Sequence, residues 1–444
     1  MNSVPAFAAV TRDACSLCAP LGATLAFAGV RGGMTLLHGS QGCATYIRRY
    51  AISHFREPLD AASSGFGEEA AVFGGRANLR VAFENLVRQY APEFVGIATT
   101  CLAETIGEDA SGARRAIEDL VAPGGPGSPS RPVVAAASTP SYRGDQREGF
   151  RAATRAIVEA ACPVPSRPAA GLAGADAPVA VFPAMVSPAD LRELKRVFAA
   201  FGLDAILASD YSDTLDGGPG RSERLLPEGG TPVGRLGELS DARYAIELGA
   251  PVADESSGAA YLASSFGAER IALTLPIGVR ATDRLLDELG HASGRPVPVE
   301  LAAERGRLLD SYVDAHKIVF ERSALLYGDR DLREALAAFC AEIGVRAVEA
   351  EGEGRGFDAV EAAAEAAKAD GRPVDLLIGN SKGYKIAKRL GVPLVRVGFP
   401  IHDRFGGPRV GTLCYRGTQE LFDRVVNAIV EKRQEESDVG YTYF

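Results

Sequence analysis

Three consecutive α/β units with mostly parallel sheets are predicted by three observations. Short apolar runs recur along the chain, each ending in Gly, Ser, Thr or Asp and followed by a stretch with helical spacing, the alternation that lays helices over sheet faces. The length of 444 residues corresponds to two to four packed units at roughly 100 to 200 residues each. Between Cys162 and Pro178 the chain is rich in Pro, Gly and Ala without periodicity, the composition of a linker. The expected domains are residues 1–165, 178–310 and 311–444.

Each element follows from its own pattern. Met34–His38 reads as a strand, with the glycine turn Gly39-Ser-Gln-Gly-Cys43 at its end. Phe94–Thr99 is the next strand, leading into a polar turn and a helix through Ala113 to Leu120, and Pro132–Ala137 repeats the strand pattern. Beyond the linker, Val179–Phe182 is a strand. Leu191, Leu194, Phe198 and Phe201 then share one helical face, started by Ser187 before Pro188. Ala205–Ala208 supplies another strand. The third unit opens with Ser323–Tyr327, continues through Gly328-Asp329 into a helix carrying Leu332, Leu336 and Phe339, and adds strands at Leu376–Ile378 and Leu394–Val397. No sequence period links the units, which excludes a solenoid. In sheets of this kind ligands gather where loops leave the carboxyl ends of the strands.

Composition narrows the function. Hydrophobic residues make up 46% and charged residues 24%, a globular balance. The net charge of -9, with 57 acidic against 48 basic residues and no Lys/Arg block, excludes nucleic acid and an anionic membrane as first partners. Seven cysteines are too few for a disulfide scaffold, and the odd number leaves a thiol unpaired, so a reducing cytoplasm is expected. Met1–Thr11 lacks the basic start of a signal peptide, and no run of about 18 apolar residues occurs, so a soluble cytoplasmic protein is expected. No phosphate-loop motif is present, and Gly352, Gly354 and Gly356 read as a loop. Gly379-Asn-Ser-Lys-Gly383 reads as a tight turn. The five histidines form no HxxxH pair and read as hydrogen-bonded structural residues.

Cys18, Cys43 and Cys101 form the one suggestive constellation. Cys18 precedes the rigid turn Ala19-Pro20-Leu21-Gly22, Cys43 ends the glycine turn, and Cys101 follows the strand Phe94–Thr99. Each thiol is therefore expected on a short loop, the usual presentation of an iron–sulfur ligand. Their spacings of 25 and 58 residues match no compact zinc or ferredoxin pattern, so a metal cluster and three small buried hydrophobes both stay open. Cys15 and Cys18 form a C-x-x-C without the preceding βαβ unit of a redox dithiol.

The words Cys18-Ala-Pro-Leu-Gly22, His38-Gly-Ser-Gln-Gly-Cys43, His54-Phe-Arg-Glu-Pro58, Ala71-Val-Phe-Gly-Gly75 and Thr99-Thr-Cys-Leu-Ala-Glu-Thr105 together resemble the β-type subunit of nitrogenase component 1. Glu304-Arg-Gly-Arg307, Leu326-Tyr-Gly-Asp329 and Val397-Gly-Phe-Pro-Ile-His-Asp403 extend the resemblance over nearly the whole chain. It implies three Rossmann-like domains. It also implies that Cys18, Cys43 and Cys101 ligate one half of an eight-iron P-type cluster, an α-type partner holding the other half in an α2β2 heterotetramer. Tyr46 matches a tyrosine between that cluster and the iron–sulfur cofactor of the partner's active site. Phe73 matches the aromatic residue where an ATP-hydrolysing iron protein docks. Hydrogen bonds from groups such as Ser40 would tune the cluster's potential.

Asp145 stands where molybdenum nitrogenase has a serine that ligates the oxidised cluster, so it would either ligate iron or form a salt bridge. The family's cofactor-assembly scaffold subunit commonly keeps only the cysteine matching Cys43, and three cysteines favour an electron-relaying subunit. The chain begins almost at its first cysteine motif, which looks more like the nitrogenase-like reductases. Methylthio-alkane reductase, which cleaves carbon–sulfur bonds of small thioethers, is the preferred assignment. A non-catalytic scaffold and a dinitrogen-reducing β subunit are the alternatives.

Overall fold

The computed structural model describes residues 16–121, 132–163, 177–218, 225–349 and 356–439. Cys15, most of the expected linker, Gly352 and Gly354 lie outside the described residues. Twelve strands are described, four in each of three sheets. The first two sheets belong to one compact unit, formed by the described parts of 17–191 and 203–272. The third belongs to a second unit, formed by 192–202 and the described part of 273–444.

In the first sheet β1 (Gly33–His38), β2 (Ala61–Ser63), β3 (Phe94–Thr99) and β4 (Val133–Ala137) lie in the order β2-β1-β3-β4, with every pairing parallel. The chain reaches β2 and β3 from opposite edges of β1, so the order reverses between β1 and β3. That reversal opens a crevice at their carboxyl ends, where His38 pairs with Thr99. The helices are α1 (Ala19–Ala28), α2 (Gln41–Phe55), α3 (Glu68–Phe73), α4 (Arg76–Tyr90), α5 (Cys101–Thr105), α6 (Ala110–Ala116), α7 (Glu118–Val121) and α8 (Gln146–Ala161). The continuous helix expected through Ala113 to Leu120 is thus broken. Arg114 and Arg115 crowd the end of α6, and the Ile117 amide turns back to the Arg114 carbonyl at 3.2 Å.

Leu79, Phe83 and Leu86 of α4 pack on Met34, Leu36, Val95 and Ile97, one apolar stripe of a helix against the side chains that alternate strands send to one face. The opposite arrangement holds for α1. Its ten residues, Ala-Pro-Leu-Gly-Ala-Thr-Leu-Ala-Phe-Ala, are apolar or small all round, and all ten are buried. A helix with no polar face can only sit inside a core. Its main neighbour is α8, and each supplies a glycine at the crossing. A Cβ on Gly22 would lie 1.8 Å from the Gln146 carbonyl oxygen, and one on Gly149 would lie 1.9 Å from that of Ala19. The other side of α8 carries buried Arg147 and Arg151, which donate to the carbonyls of Ala250 and Leu248 at 2.9 and 2.5 Å.

The second sheet has the order β6-β5-β7-β8, from β5 (Val179–Phe182), β6 (Ala205–Leu207), β7 (Tyr244–Leu248) and β8 (Glu269–Leu273). Helix α9 (Pro188–Ala200) starts as expected, with the Asp190 amide donating to Ser187 Oγ at 3.0 Å. The third sheet, order β10-β9-β11-β12, is parallel throughout and uses β9 (Ser323–Leu326), β10 (Arg346–Glu349), β11 (Leu376–Gly379) and β12 (Leu394–Arg396). The boundary expected at residues 310 and 311 falls inside a continuous helix, Val299–Val319. Gly379-Asn-Ser-Lys-Gly383 is a turn that satisfies itself. Asn380 Oδ1 accepts the Lys382 amide at 3.0 Å, and Ser381 Oγ bonds Asp403, which also pairs with Arg396. Among the described residues no helix is long and apolar enough to cross a membrane.

Candidate metal centre

The chain leaving β1 and β3 at the sheet reversal leads at once to Cys43 and Cys101, and Cys18 immediately precedes α1. The expectation that the three thiols sit on loops is corrected, because each stands at a helix start. Cys18 is the N-cap of α1, Cys43 lies in the first turn of α2, and Cys101 is the first residue of α5. The physical reason is the glycine and proline turns themselves. Pro20 is preorganised for a first helical turn, and the extended backbone of Ser40 and Thr100 converts each strand end directly into a helix. Gly39 is required at the junction. Its φ of +151° suits glycine, and a Cβ there would lie 1.8 Å from Thr100 Oγ1.

The three thiols are free and half-buried. Burial pushes the Cys18 thiol up to about 12, with Cys43 and Cys101 adding to the effect. Burial also raises Cys43, again with Cys101 adding. Each sulfur thus lies within the field of the others, and a positive metal centre among them would displace their protons. Among the described residues no three His, Cys, Asp or Glu side chains converge tightly enough for a single metal ion. Three thiols are soft sulfur donors, the ligand type that iron–sulfur clusters use. Two further observations fit such a group. The Ser141 amide donates to Cys101 Sγ at 3.2 Å, and Thr100 Oγ1, next to Cys101, is buried without a hydrogen-bond partner.

The remaining candidates take distinct positions. Asp145 caps α8, its carboxylate accepting the Arg147 amide at 2.9 Å while Glu148 accepts the Asp145 amide at 3.1 Å. Backbone pairing joins Asp145 to Cys18, and Ser141 Oγ accepts the Ala19 amide at 3.2 Å, so the 138–145 loop holds the Cys18 turn. Ser40 Oγ caps α2, accepting from the Gly42 amide at 3.4 Å. Tyr46 lies one turn beyond Cys43, 38% exposed, with its ring centroid 4.6 Å from that of Tyr50. Its phenol is raised by burial, with Tyr50 and Cys18 adding to the shift. Phe73 ends α3 and is 84% exposed beside Val72 at 75%.

The sequence pattern missed Ser141 and Thr100, and it missed the partners of His38. Nε2 of His38 meets Glu108 Oε2 at 2.7 Å. A separation of 70 residues leaves no local signal for that pair.

The match to known proteins is extensive. Residues 18–430 fit the model of the nitrogenase component 1 type oxidoreductases. The chain belongs to that family. As a β-type member it is 34% identical to the nitrogenase molybdenum-iron protein beta chain of Methanothermobacter thermautotrophicus, over 94% of each chain. It is also 34% identical to that of Clostridium pasteurianum, over 94% of this chain and 93% of the relative. A solved chain of nitrogenase Cp1 at pH 6.5 superposes with a TM-score of 0.84 at 31% identity, covering 97% of this chain and 96% of its own. The α/β architecture of three mostly parallel sheets is thus the fold of the family.

The raised Cys18 thiol has a consequence that can be measured on this chain. In metal-free protein, labelling of Cys18 by iodoacetamide is expected to keep rising with pH up to about 12, because only the thiolate reacts. An ordinary thiol levels off above roughly pH 9. Peptide mass spectrometry follows Cys18 separately, and a plateau near pH 9 contradicts the burial argument.

Proposed function

We propose that this chain is the electron-relaying β-type subunit of a nitrogenase-like reductase. The convergence of Cys18, Cys43 and Cys101 at the reversal of the first sheet carries the proposal. The three thiolates would hold one half of an eight-iron P-type cluster, with an α-type partner holding the other half in an α2β2 assembly. When bound, such a cluster accepts and releases single electrons at a potential set by its ligands and their hydrogen bonds. The chain's own residues do the rest. The thiolates bind, the Ser141 amide donates to one of them, and α1 and α2 direct their starts at the site. Asp145 holds the Cys18 turn by capping α8, and a direct bond to iron is not needed for that role. Tyr46, packed beside Tyr50 and within the field of Cys18, would relay electrons from the cluster to the partner. Exposed Phe73 and Val72 offer the apolar contact for a separate ATP-hydrolysing iron protein.

The substrate is chosen at an iron–sulfur cofactor in the partner. Small methylthio-alkanes are the preferred substrate class, while relatives that align over 93% and 94% of their own length are named molybdenum-iron protein beta chains. Thioethers and dinitrogen therefore both enter the assay. The purified heteromer, supplied with an iron protein and ATP, is expected to turn over one of them, yielding a thiol or ammonia. It is also expected to show an iron–sulfur EPR signal that depends on Cys43. A heteromer that binds iron but reduces neither substrate, and instead releases a cofactor precursor, supports the scaffold reading.

A further inference from the structure

Beyond the cysteines, a buried chain of hydrogen bonds leads from the end of β1 to Gly75, two residues from exposed Phe73. His38 Nε2 lies 2.7 Å from Glu108 Oε2, and His38 Nδ1 lies 3.1 Å from Ser64 Oγ. Ser64 Oγ accepts the Gly39 amide at 2.9 Å, and Glu108 Oε1 accepts the Gly75 amide at 2.8 Å. All three side chains are buried. A neutral imidazole satisfies every contact, with Nε2–H donating to the carboxylate and Nδ1 accepting the Ser64 hydroxyl. Burial lowers the imidazole pKa against the opposing pull of Glu108, which favours that form. The chain thus runs from one backbone amide to another.

The positions of its two ends give it meaning. Gly75 closes the loop that begins at exposed Phe73. Gly39 opens the turn into the helix of Cys43. Phe66 adds an apolar link between the same two points. A Cβ on Gly75 would lie 2.0 Å from its ring, which also packs edge-on to His38 at 4.9 Å between centroids. The Phe66 amide donates to the Gly39 carbonyl at 2.9 Å. Phe66 and Ala70 of α3 further cluster with Ala103 of α5, the helix that begins at Cys101.

We propose that Ser64, His38 and Glu108 are positioning residues that couple the Phe73–Gly75 surface loop to the Gly39–Cys43 turn. A protein that docks on Phe73 then shifts the helix start carrying a cluster ligand. The coupling rests on the docking role proposed for Phe73, and the test separates the two. Amide hydrogen exchange is measured on the iron-loaded heteromer with and without the iron protein, held bound by a nonhydrolysable ATP analogue. Iron content is checked for each variant.

In the wild type, exchange is expected to slow by about tenfold in peptides 70–79 and 36–44 alike. Ser64→Ala cuts the chain at Gly39 while leaving Glu108 on Gly75, so peptide 70–79 still responds in full and the response of peptide 36–44 shrinks to what Phe66 alone transmits. His38→Leu gives the same split and stands in if Ser64→Ala fails to assemble. Glu108→Gln can rebuild the chain with its proton order reversed, its amide donating to Nε2, so both peptides respond. An unchanged response of peptide 36–44 in Ser64→Ala and His38→Leu overturns the coupling. So does a wild type in which peptide 70–79 alone responds. A wild type with no response at 70–79 overturns the docking reading, and the coupling with it.

Discussion

Cys101→Ala is expected to strip iron from the heteromer and to cut turnover by more than roughly 100-fold, since loss of an outer partner of a metal ligand alone costs up to that much. The residue sits where three dependencies meet. It begins α5, it stands in the field of Cys18 and Cys43, and its sulfur accepts the Ser141 amide. Alanine keeps the helix start and the packing of Ala103 beneath it, so the fold survives while the donor is lost. Iron analysis with EPR, beside circular dichroism, reads the two effects separately. Retained iron with unchanged turnover would sink the proposal that the three thiols act together. Serine is the informative comparison, because its oxygen keeps the size of the side chain but is a harder donor than thiolate.

Gly149→Ala is expected to destabilise the chain by about 3 kcal/mol, the upper end of the usual cost of forcing extra volume into a packed core. The sign is diagnostic. In an exposed helix the same change stabilises by roughly 1 kcal/mol, because alanine loses less backbone freedom on folding. Here the new methyl would lie 1.9 Å from the Ala19 carbonyl oxygen, backbone that cannot swing aside. Gly22→Ala meets the Gln146 carbonyl at 1.8 Å and should behave alike. Gly306, in a helix with nothing within 4 Å of its would-be Cβ, is the control and should gain stability as alanine. Thermal midpoints decide the matter. Because Cys18 caps the displaced helix, iron content should fall together with the midpoint in the Gly149 and Gly22 variants.

Much of the fold was legible because strands of parallel sheets are continuous apolar runs. Phe94–Thr99 and Val179–Phe182 are strands over those residues, and Met34–His38 extends by one. The elements that escaped include two whose identity is set by neighbours, and also the apolar strand Tyr244–Leu248. Ala61–Ser63 has three small residues and becomes a strand only because Thr35, Leu36 and Leu37 pair with it. Arg346–Glu349 has only Ala347 and Val348 between two charged residues at the edge of its sheet and carries little apolar signal. At the centre, the cysteines were legible from their turns, but their helical placement was not. A glycine turn announces a change of direction and leaves open whether a loop or a helix comes next. The His38–Glu108 link joins residues 70 apart and depends wholly on the tertiary fold.

The all-apolar helix α1 also sets a timetable for the newborn chain. Its main neighbour α8 begins at Gln146 and ends at Ala161, so more than a hundred residues must leave the ribosome before α1 can meet it. At roughly 5 to 20 residues per second, that wait is on the order of ten seconds. Throughout it, the Cys18 segment is tethered to a greasy stretch that lacks its main neighbour and invites chaperones and wrong partners alike. Cys43 and Cys101 belong to a sheet that can begin to assemble sooner. The Cys18 turn, held by the 138–145 loop, is therefore the last of the three thiol positions to be fixed.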